Sequence, residues 1–198
     1  MNYSREFLQE SAKIIDLIDT EEIEKIVDLL DDVRSKGGRL FIIGSGGGAG
    51  HASHAVCDFR KLCGFEAYAP YDNVSELTAL VNDEGWDLSL INWLKGSRLN
   101  AKDGILVFSV GGGDREKNIS PNIVRALKYA KGVGCKIIGI VGKDGGYTRE
   151  IGDAVIVIPV INKARITPHT EGFQAMIWHL LVSHPKLQIN PAKWESTK

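Results

Sequence analysis

Cysteine is scarce in this 198-residue chain, and the three present, Cys57, Cys63 and Cys135, are odd in number and widely spaced. That excludes a disulfide framework and a closely spaced zinc-finger cluster, and it favours a reducing compartment with all three thiols buried. Net charge is nearly absent too: 24 basic and 25 acidic side chains, a formal charge of -1, are spread along the sequence. Such a balance leaves no footprint for general nucleic-acid binding or for an anionic membrane surface, so any anion site must be local. No apolar run reaches membrane-spanning length, and residues 1–6 lead into an acidic amphipathic stretch instead of a signal-peptide core. The expected location is the cytoplasm. Linkers, repeats and low-complexity tracts are missing as well. With 43% hydrophobic and 25% charged residues the chain suits one domain over 1–198, made of a helical extension at 1–36, a core at 37–185 and a tail at 186–198.

What is present begins with two helical periods. Leu8, Ala12, Ile15 and Ile18 recur at helical spacing, and Ile23, Ile26, Val27, Leu30 and Val33 repeat it after Asp19 and Thr20, a good N-terminal cap. These helices cover a sheet or build a subunit interface. From Arg39 the pattern becomes α/β: apolar runs at 40–43, 65–69, 105–109, 136–141 and 154–158 alternate with helical segments, which predicts a parallel sheet covered on both faces. In such sheets ligands gather where the carboxyl ends of strands feed into loops. The loops in question are 44–50, 70–75 with Asp72 and Asn73 as ligand-contact candidates, 109–113, and 142–146.

The first loop carries the strongest signal. An apolar strand runs into Gly44, Ser45, Gly46, Gly47 and Gly48 and out onto a helix bearing His51, His54 and Asp58. Glycines let backbone N–H groups approach an anionic or polyhydroxyl ligand, and the helix start adds free donors and the positive end of its dipole. No Lys-Ser/Thr pair follows, as a nucleotide P-loop needs, and no acidic residue ends the next strand to hold a ribose, so a nucleotide is not the expected ligand. Ser109, Gly111, Gly112 and Gly113, followed by Ser120 and Pro121, read as a second anion cradle, with Ser120 capping a helix that opens at Pro121. A plain polar surface loop is the competing reading, and Arg115 and Lys117 are phosphate partners or solvated charges.

His54 and Asp58, four apart, share a helix face with His51 one turn earlier, and Glu171 and His179 share a face of the last helix. If those helices converge, His54, Asp58, Glu171 and His179 bind a divalent metal or divide acid and base roles between them. Taken singly, each histidine is more often an ordinary hydrogen-bonded residue; the acid–imidazole couple on both helices is what favours chemistry. Phe173, Met176, Ile177, Leu180 and Leu181 read as core, Trp178 as core or recognition surface, His169 beside Pro168 as a cap, and His184-Pro185 as a helix stop.

The Gly-Ser-Gly-Gly-Gly segment with His54 and Asp58, the Ser109 to Asn122 loop, the run from Thr78 to Asp83 and the Glu171 to His179 helix together resemble the sugar isomerase (SIS) domain of phosphoheptose isomerases, over nearly the whole chain to about Ser183. The resemblance implies a three-layer αβα sandwich with a five-stranded parallel sheet preceded by two helices, a homotetramer, and an active site between subunits. It implies that Ser109, Gly111, Gly112 and Ser120 hold a sugar phosphate, and that Ser45, Gly46, Gly47 and Gly48 touch the sugar. Zinc is implied on His54, Asp58, Glu171 and His179; for the reaction itself the expectation is Asp58 or Glu171 as base and His179 as acid. The implied reaction converts sedoheptulose 7-phosphate to D-glycero-D-manno-heptose 7-phosphate, the first step towards the heptose of lipopolysaccharide and related glycans. A non-catalytic relative that binds a phosphosugar or the replication initiator DnaA, and an isomerase of a pentose or hexose phosphate, are the alternatives. The chain departs from the family pattern at Asp58 (usually glutamate), Glu171 (glutamine), Ser45 (asparagine), Gly48 (serine) and Leu62 (arginine). Its phosphate loop lacks two hydroxyls and gains residues 114–119.

Overall fold

The computed structural model describes residues 2–193; of the expected tail, residues 194–198 lie outside the described residues. Helix α1 (Tyr3–Leu17) opens where the Asn2 side chain accepts the Arg5 N–H, and α2 (Thr20–Ser35) opens where Asp19, the expected cap, accepts the Glu22 N–H at 3.1 Å. There follow β1 (Leu40–Gly44), α3 (Gly47–Cys63), β2 (Ala67–Tyr68), α4 (Val74–Glu84), α5 (Trp86–Gly96) and β3 (Gly104–Ser109). The chain continues through α6 (Pro121–Val133), β4 (Lys136–Val141), α7 (Gly146–Ile151), β5 (Ala154–Val157), a single tight helical turn at Lys163–Arg165, and α8 (Ile166–Ser183). The last helix stops at His184, ahead of Pro185, as expected.

All strands are parallel, in the order β2-β1-β3-β4-β5. Alternate residues of each strand enter different cores. Leu40, Ile42, Leu106, Phe108, Ile138 and Ile140 pack against α2, α3 and α8, whereas Phe41, Ile43, Ile105, Val107 and Ile137 pack against α5, α6 and α7. This is the parallel sheet covered on both faces that the strand pattern predicted, and the three-layer αβα sandwich that the family resemblance implied. Each fully buried aliphatic side chain contributes about 1.5–3 kcal/mol relative to exposure, so the period-2 alternation fixes which helices lie on which face.

Some elements differ from the sequence expectation. The second strand pairs only at Ala67 and Tyr68, because it is the sheet edge and β1 alone offers it partners; buried Phe65 instead meets Phe59 edge-on at 5.6 Å. Cys57 is exposed, since its position on α3 faces away from the sheet, while Cys63 and Cys135 are buried. On α8, Phe173, Ile177, Leu181 and Trp178 are core, but Met176 (49% exposed) and Leu180 (40%) lie on the opposite side of the helix. His169 is no cap. It sits inside α8, buried, with its Nε2 2.8 Å from the Glu10 carboxylate and its ring stacked on Phe7 at 4.3 Å. Glu10 also accepts from Asn162 Nδ2 at 2.8 Å and Arg165 Nε at 2.9 Å, and these bonds, that of Asn162 foremost, hold its carboxyl down at about 2. The network clamps α1 onto the head of the helix that carries Glu171.

Candidate active site

The register that pairs Gly44 with Phe108 makes Ser45 and Ser109 leave the sheet side by side at its carboxyl edge. Gly46 takes φ 58° and ψ -123°, a conformation open to glycine, and turns the chain directly into α3. Gly44 is pinned by Tyr71, whose hydroxyl accepts the Gly44 N–H at 3.0 Å and donates to the Gly44 carbonyl. Burial pushes the Tyr71 hydroxyl up to about 12. The buried Ser45 hydroxyl has no hydrogen-bond partner among the described residues. A ligand hydroxyl at this loop would supply one.

Helices α3 and α8 pack side by side, and their contacts advance together. The Glu171 carboxylate lies against Gly47, His51 meets Gln174, and Asp58 faces His179, so the helices run in the same direction with a polar seam between them. Near one end of the seam His54, Asp58 and His179 converge: one ligand atom from each lies within 4.8 Å of the others. The His54 Nε2 and His179 Nε2 atoms stand 3.7 and 3.8 Å from the same Asp58 oxygen, and both imidazoles are exposed. Trp178 closes the floor, its ring 4.6 Å from that of His54 and 3.9 Å from that of His179.

This donor set fits a divalent ion. Zinc bonds of about 2.0–2.1 Å set tetrahedral ligands roughly 3.3 Å apart, within about half an ångström of the two imidazole–Asp58 spacings found here. His179 Nδ1 donates to the Ala175 carbonyl at 2.7 Å, which leaves the Nε2 lone pair facing Asp58 and free to bind. The expected fourth member is placed elsewhere. Glu171 precedes His179 by eight residues, two turns and about 12 Å along the helix, and sits instead at the start of α3. Gly47 makes that possible: a Cβ there would come within 2.5 Å of the Glu171 carboxyl carbon.

The second glycine loop is built by close backbone crossing. A Cβ on Gly112 would fall 1.9 Å from the Gly145 carbonyl oxygen, and the Gly112 carbonyl accepts from the Thr148 hydroxyl (2.7 Å) and N–H (2.9 Å). Ser109 Oγ accepts the Gly112 N–H at 3.0 Å. Ser120 stands at the N-cap position but not as a cap: an antiparallel bridge between Asp114 and Ile119 delivers the chain so that Ser120 adopts φ 50°, and its hydroxyl makes no capping bond. A cleft of about 220 Å³ opens beside this loop, lined by Gly111, Gly113, Arg115, Lys117 and Lys143 among others. Arg115 pairs with Glu150 at 3.0 Å and Lys117 faces Asp114 at 3.7 Å, whereas Lys143, which passes over Gly111, has no carboxylate within 4.0 Å among the described residues.

Asp72 and Asn73 lie in a separate groove beside the edge strand, which contains no residue of the two glycine loops, and Asn73 caps α4 by accepting the Glu76 N–H. Tyr71, their neighbour, is what reaches the first loop. The sequence reading missed Tyr71 and Gln174, because a lone tyrosine or buried amide has no spacing signature; only the place of Tyr71 in the flagged 70–75 loop pointed to it.

A sequence model described as the SIS domain matches residues 3–142. A phosphoheptose isomerase of a Nitratiruptor species is 33% identical over 150 residues, 73% of this chain and 74% of that protein. Another, of Aliarcobacter butzleri, is 30% identical over 192 residues, 93% of each. The fold is shared with a phosphoheptose isomerase structure from Francisella tularensis (TM-score 0.75, 21% identity, 91% of this chain and 92% of that one). It is also shared with one from Neisseria gonorrhoeae (TM-score 0.71, 24% identity, 88% of each). Sheet order, paired helices and sequence likeness lead to one assignment: the chain belongs to the SIS domain family.

Proposed function

We propose that this protein is a phosphosugar aldose–ketose isomerase that converts sedoheptulose 7-phosphate to D-glycero-D-manno-heptose 7-phosphate through an enediol(ate). The observation that carries the reading is the meeting of His54 and Asp58 on α3 with His179 on α8, beside a glycine loop whose Ser45 hydroxyl lacks a partner. Relatives named phosphoheptose isomerase that align along 73–93% of the chain supply the substrate.

The phosphate is held by the loop of Ser109, Gly111, Gly112 and Ser120, with Lys143 as the unpaired cation beside it. The sugar chain runs along Ser45, Gly46, Gly47 and Gly48. Asp72 and Asn73, in their separate groove, stay outside this path. His54, Asp58 and His179 would hold a divalent ion such as zinc, whose charge would polarise the sugar oxygens. Asp58, placed between two imidazoles, belongs to that set, so Glu171 is the base that takes the proton from the carbon beside the carbonyl. His179, with Nδ1 on the Ala175 carbonyl and Nε2 turned to Asp58, belongs to that set too and leaves the acid role expected of it to another group.

The assembly proposed is a homotetramer with sites between subunits. Exposed Tyr3, Leu8, Ile15 and Leu17 on α1 and Met176 and Leu180 on α8 give it apolar surface to bury. We place the protein in the cytoplasm, in synthesis of the heptose of lipopolysaccharide or related glycans; its two buried, unpaired cysteines agree with a reducing compartment. Incubation with sedoheptulose 7-phosphate, with added zinc and with chelator, tests the activity. Formation of the aldoheptose phosphate, faster with zinc, is the expected result. No conversion under either condition, or faster conversion of a pentose or hexose phosphate, overturns it.

A further inference from the structure

His51 lies on the α3–α8 seam between Glu171 and the His54–Asp58–His179 cluster, one helical turn beyond the glycine that Glu171 touches. Its Nδ1 is 3.2 Å from Oε1 of Gln174, a fully buried amide whose Nε2 donates to the Ile140 carbonyl at 3.0 Å. The chain of bonds admits one proton arrangement. A backbone carbonyl only accepts, so the Gln174 nitrogen must face Ile140; its oxygen therefore faces His51 and also only accepts. The proton of the neutral imidazole is thus on Nδ1, and the lone pair is on Nε2. The ring is held between Phe108, edge-on at 6.0 Å, and Trp178, at 6.4 Å and 29° from parallel. Nε2 has no hydrogen-bond partner among the described residues, and the side chain is only half-buried.

We propose that His51 is a further catalytic residue, the carrier of the oxygen-bound proton, and that Gln174 is the positioning residue that sets its tautomer. The proposal rests on the isomerase reading. Turning a ketose into an aldose requires two transfers: one proton moves from C1 to C2, and one from the C1 hydroxyl to the C2 oxygen. Glu171 serves the carbons. His51 Nε2 takes the hydroxyl proton, breaking O1–H and forming Nε2–H; the imidazolium then gives that proton to O2, so the base is regenerated and no oxidant or reductant enters. Protonation at Nε2 leaves the Nδ1–H bond to Gln174 intact, so the ring need not move during the cycle.

The experiment combines kinetics with nitrogen NMR of histidine-labelled protein. In the unliganded protein the His51 shifts are expected to show a protonated Nδ1 and a bare Nε2, and Gln174→Ala is expected to yield a mixture of tautomers. His51→Ala, with its fold checked by circular dichroism, is expected to lose about 10²-fold in kcat with KM nearly unchanged, the scale of one acid–base group, and to regain activity with added imidazole. His51→Gln, which cannot carry the proton, is expected to stay slow. A protonated Nε2 in the wild type, or a folded His51→Ala that keeps wild-type kcat or gains nothing from imidazole, overturns the proposal. Failure of the isomerase reading looks different: the wild type itself makes no aldoheptose phosphate. In that case the catalytic role of His51 falls with it, and the nitrogen shifts decide only whether Gln174 sets the tautomer.

Discussion

Gly47→Ala separates catalysis from stability. The added Cβ would sit 2.5 Å from the Glu171 carboxyl carbon and 2.6 Å from both oxygens, against 3.4 Å for an ordinary contact, so the carboxylate must retreat by about 0.9 Å. The obstructing group is the end of a flexible side chain, and replacing a helical glycine by alanine gains up to about 1 kcal/mol, so net stability should change by less than about 1 kcal/mol. For a domain of this size that is a Tm shift of about 2–4 °C at most. The rate responds otherwise. A reacting group displaced by about 1 Å costs on the order of 10²-fold, equivalent to about 2.7 kcal/mol in the barrier. Gly132→Ala is the control: it lies in α6 with nothing within 4 Å of the new methyl, and should raise stability slightly at full activity. Thermal unfolding and initial rates on sedoheptulose 7-phosphate decide the matter. A Gly47→Ala protein with wild-type kcat, or one that loses activity only as it loses fold, would refute the placement of Glu171 as the base.

Two other outcomes follow from the structure. Because its bonds to Asn162, His169 and Arg165 hold the Glu10 carboxyl at about 2, below the usual value of 4.5, Glu10 stabilises the fold fully above about pH 4.5 and loses that contribution as pH falls towards 2. The acid limb of Tm against pH should therefore be shallower for Glu10→Gln than for the wild type, and parallel limbs would contradict the clamp. Burial pushes the thiols of Cys63 and Cys135 up to about 11 and 12, while Cys57 is exposed, so a thiol reagent should label one cysteine per native chain and three after unfolding. Rapid labelling of more than one would show that the end of α3 or the α6–β4 junction opens.

Much of the fold was legible because its interior strands are buried on both faces. The apolar run at 136–141 coincides with β4, and that at 105–109 misses β3 by one residue, whereas the edge strand, paired on one side, is shorter than its apolar run. Local rules served where backbone conformation agreed, as at Asp19. They failed at Ser120, where the bridge from Asp114 to Ile119 dictates a left-handed residue that no cap preference foresees. In the site, His54 and Asp58 announced themselves by four-residue spacing. The eight-residue interval from Glu171 to His179 also names one helix face but spans two turns, so one face yields two stations: a carboxylate at the loop and an imidazole deeper in the seam. Arg165 and Glu10, 155 positions apart, and the buried Gln174 amide acquire meaning only through tertiary packing.

The central claim, that α3 and α8 jointly build the reaction centre, is tested most directly by turnover of sedoheptulose 7-phosphate in His179→Ala compared with the wild type at matched metal. The account predicts a folded variant of unchanged oligomeric state whose kcat falls by at least about 10²-fold. A folded His179→Ala enzyme that forms the aldoheptose phosphate at the wild-type rate would contradict it.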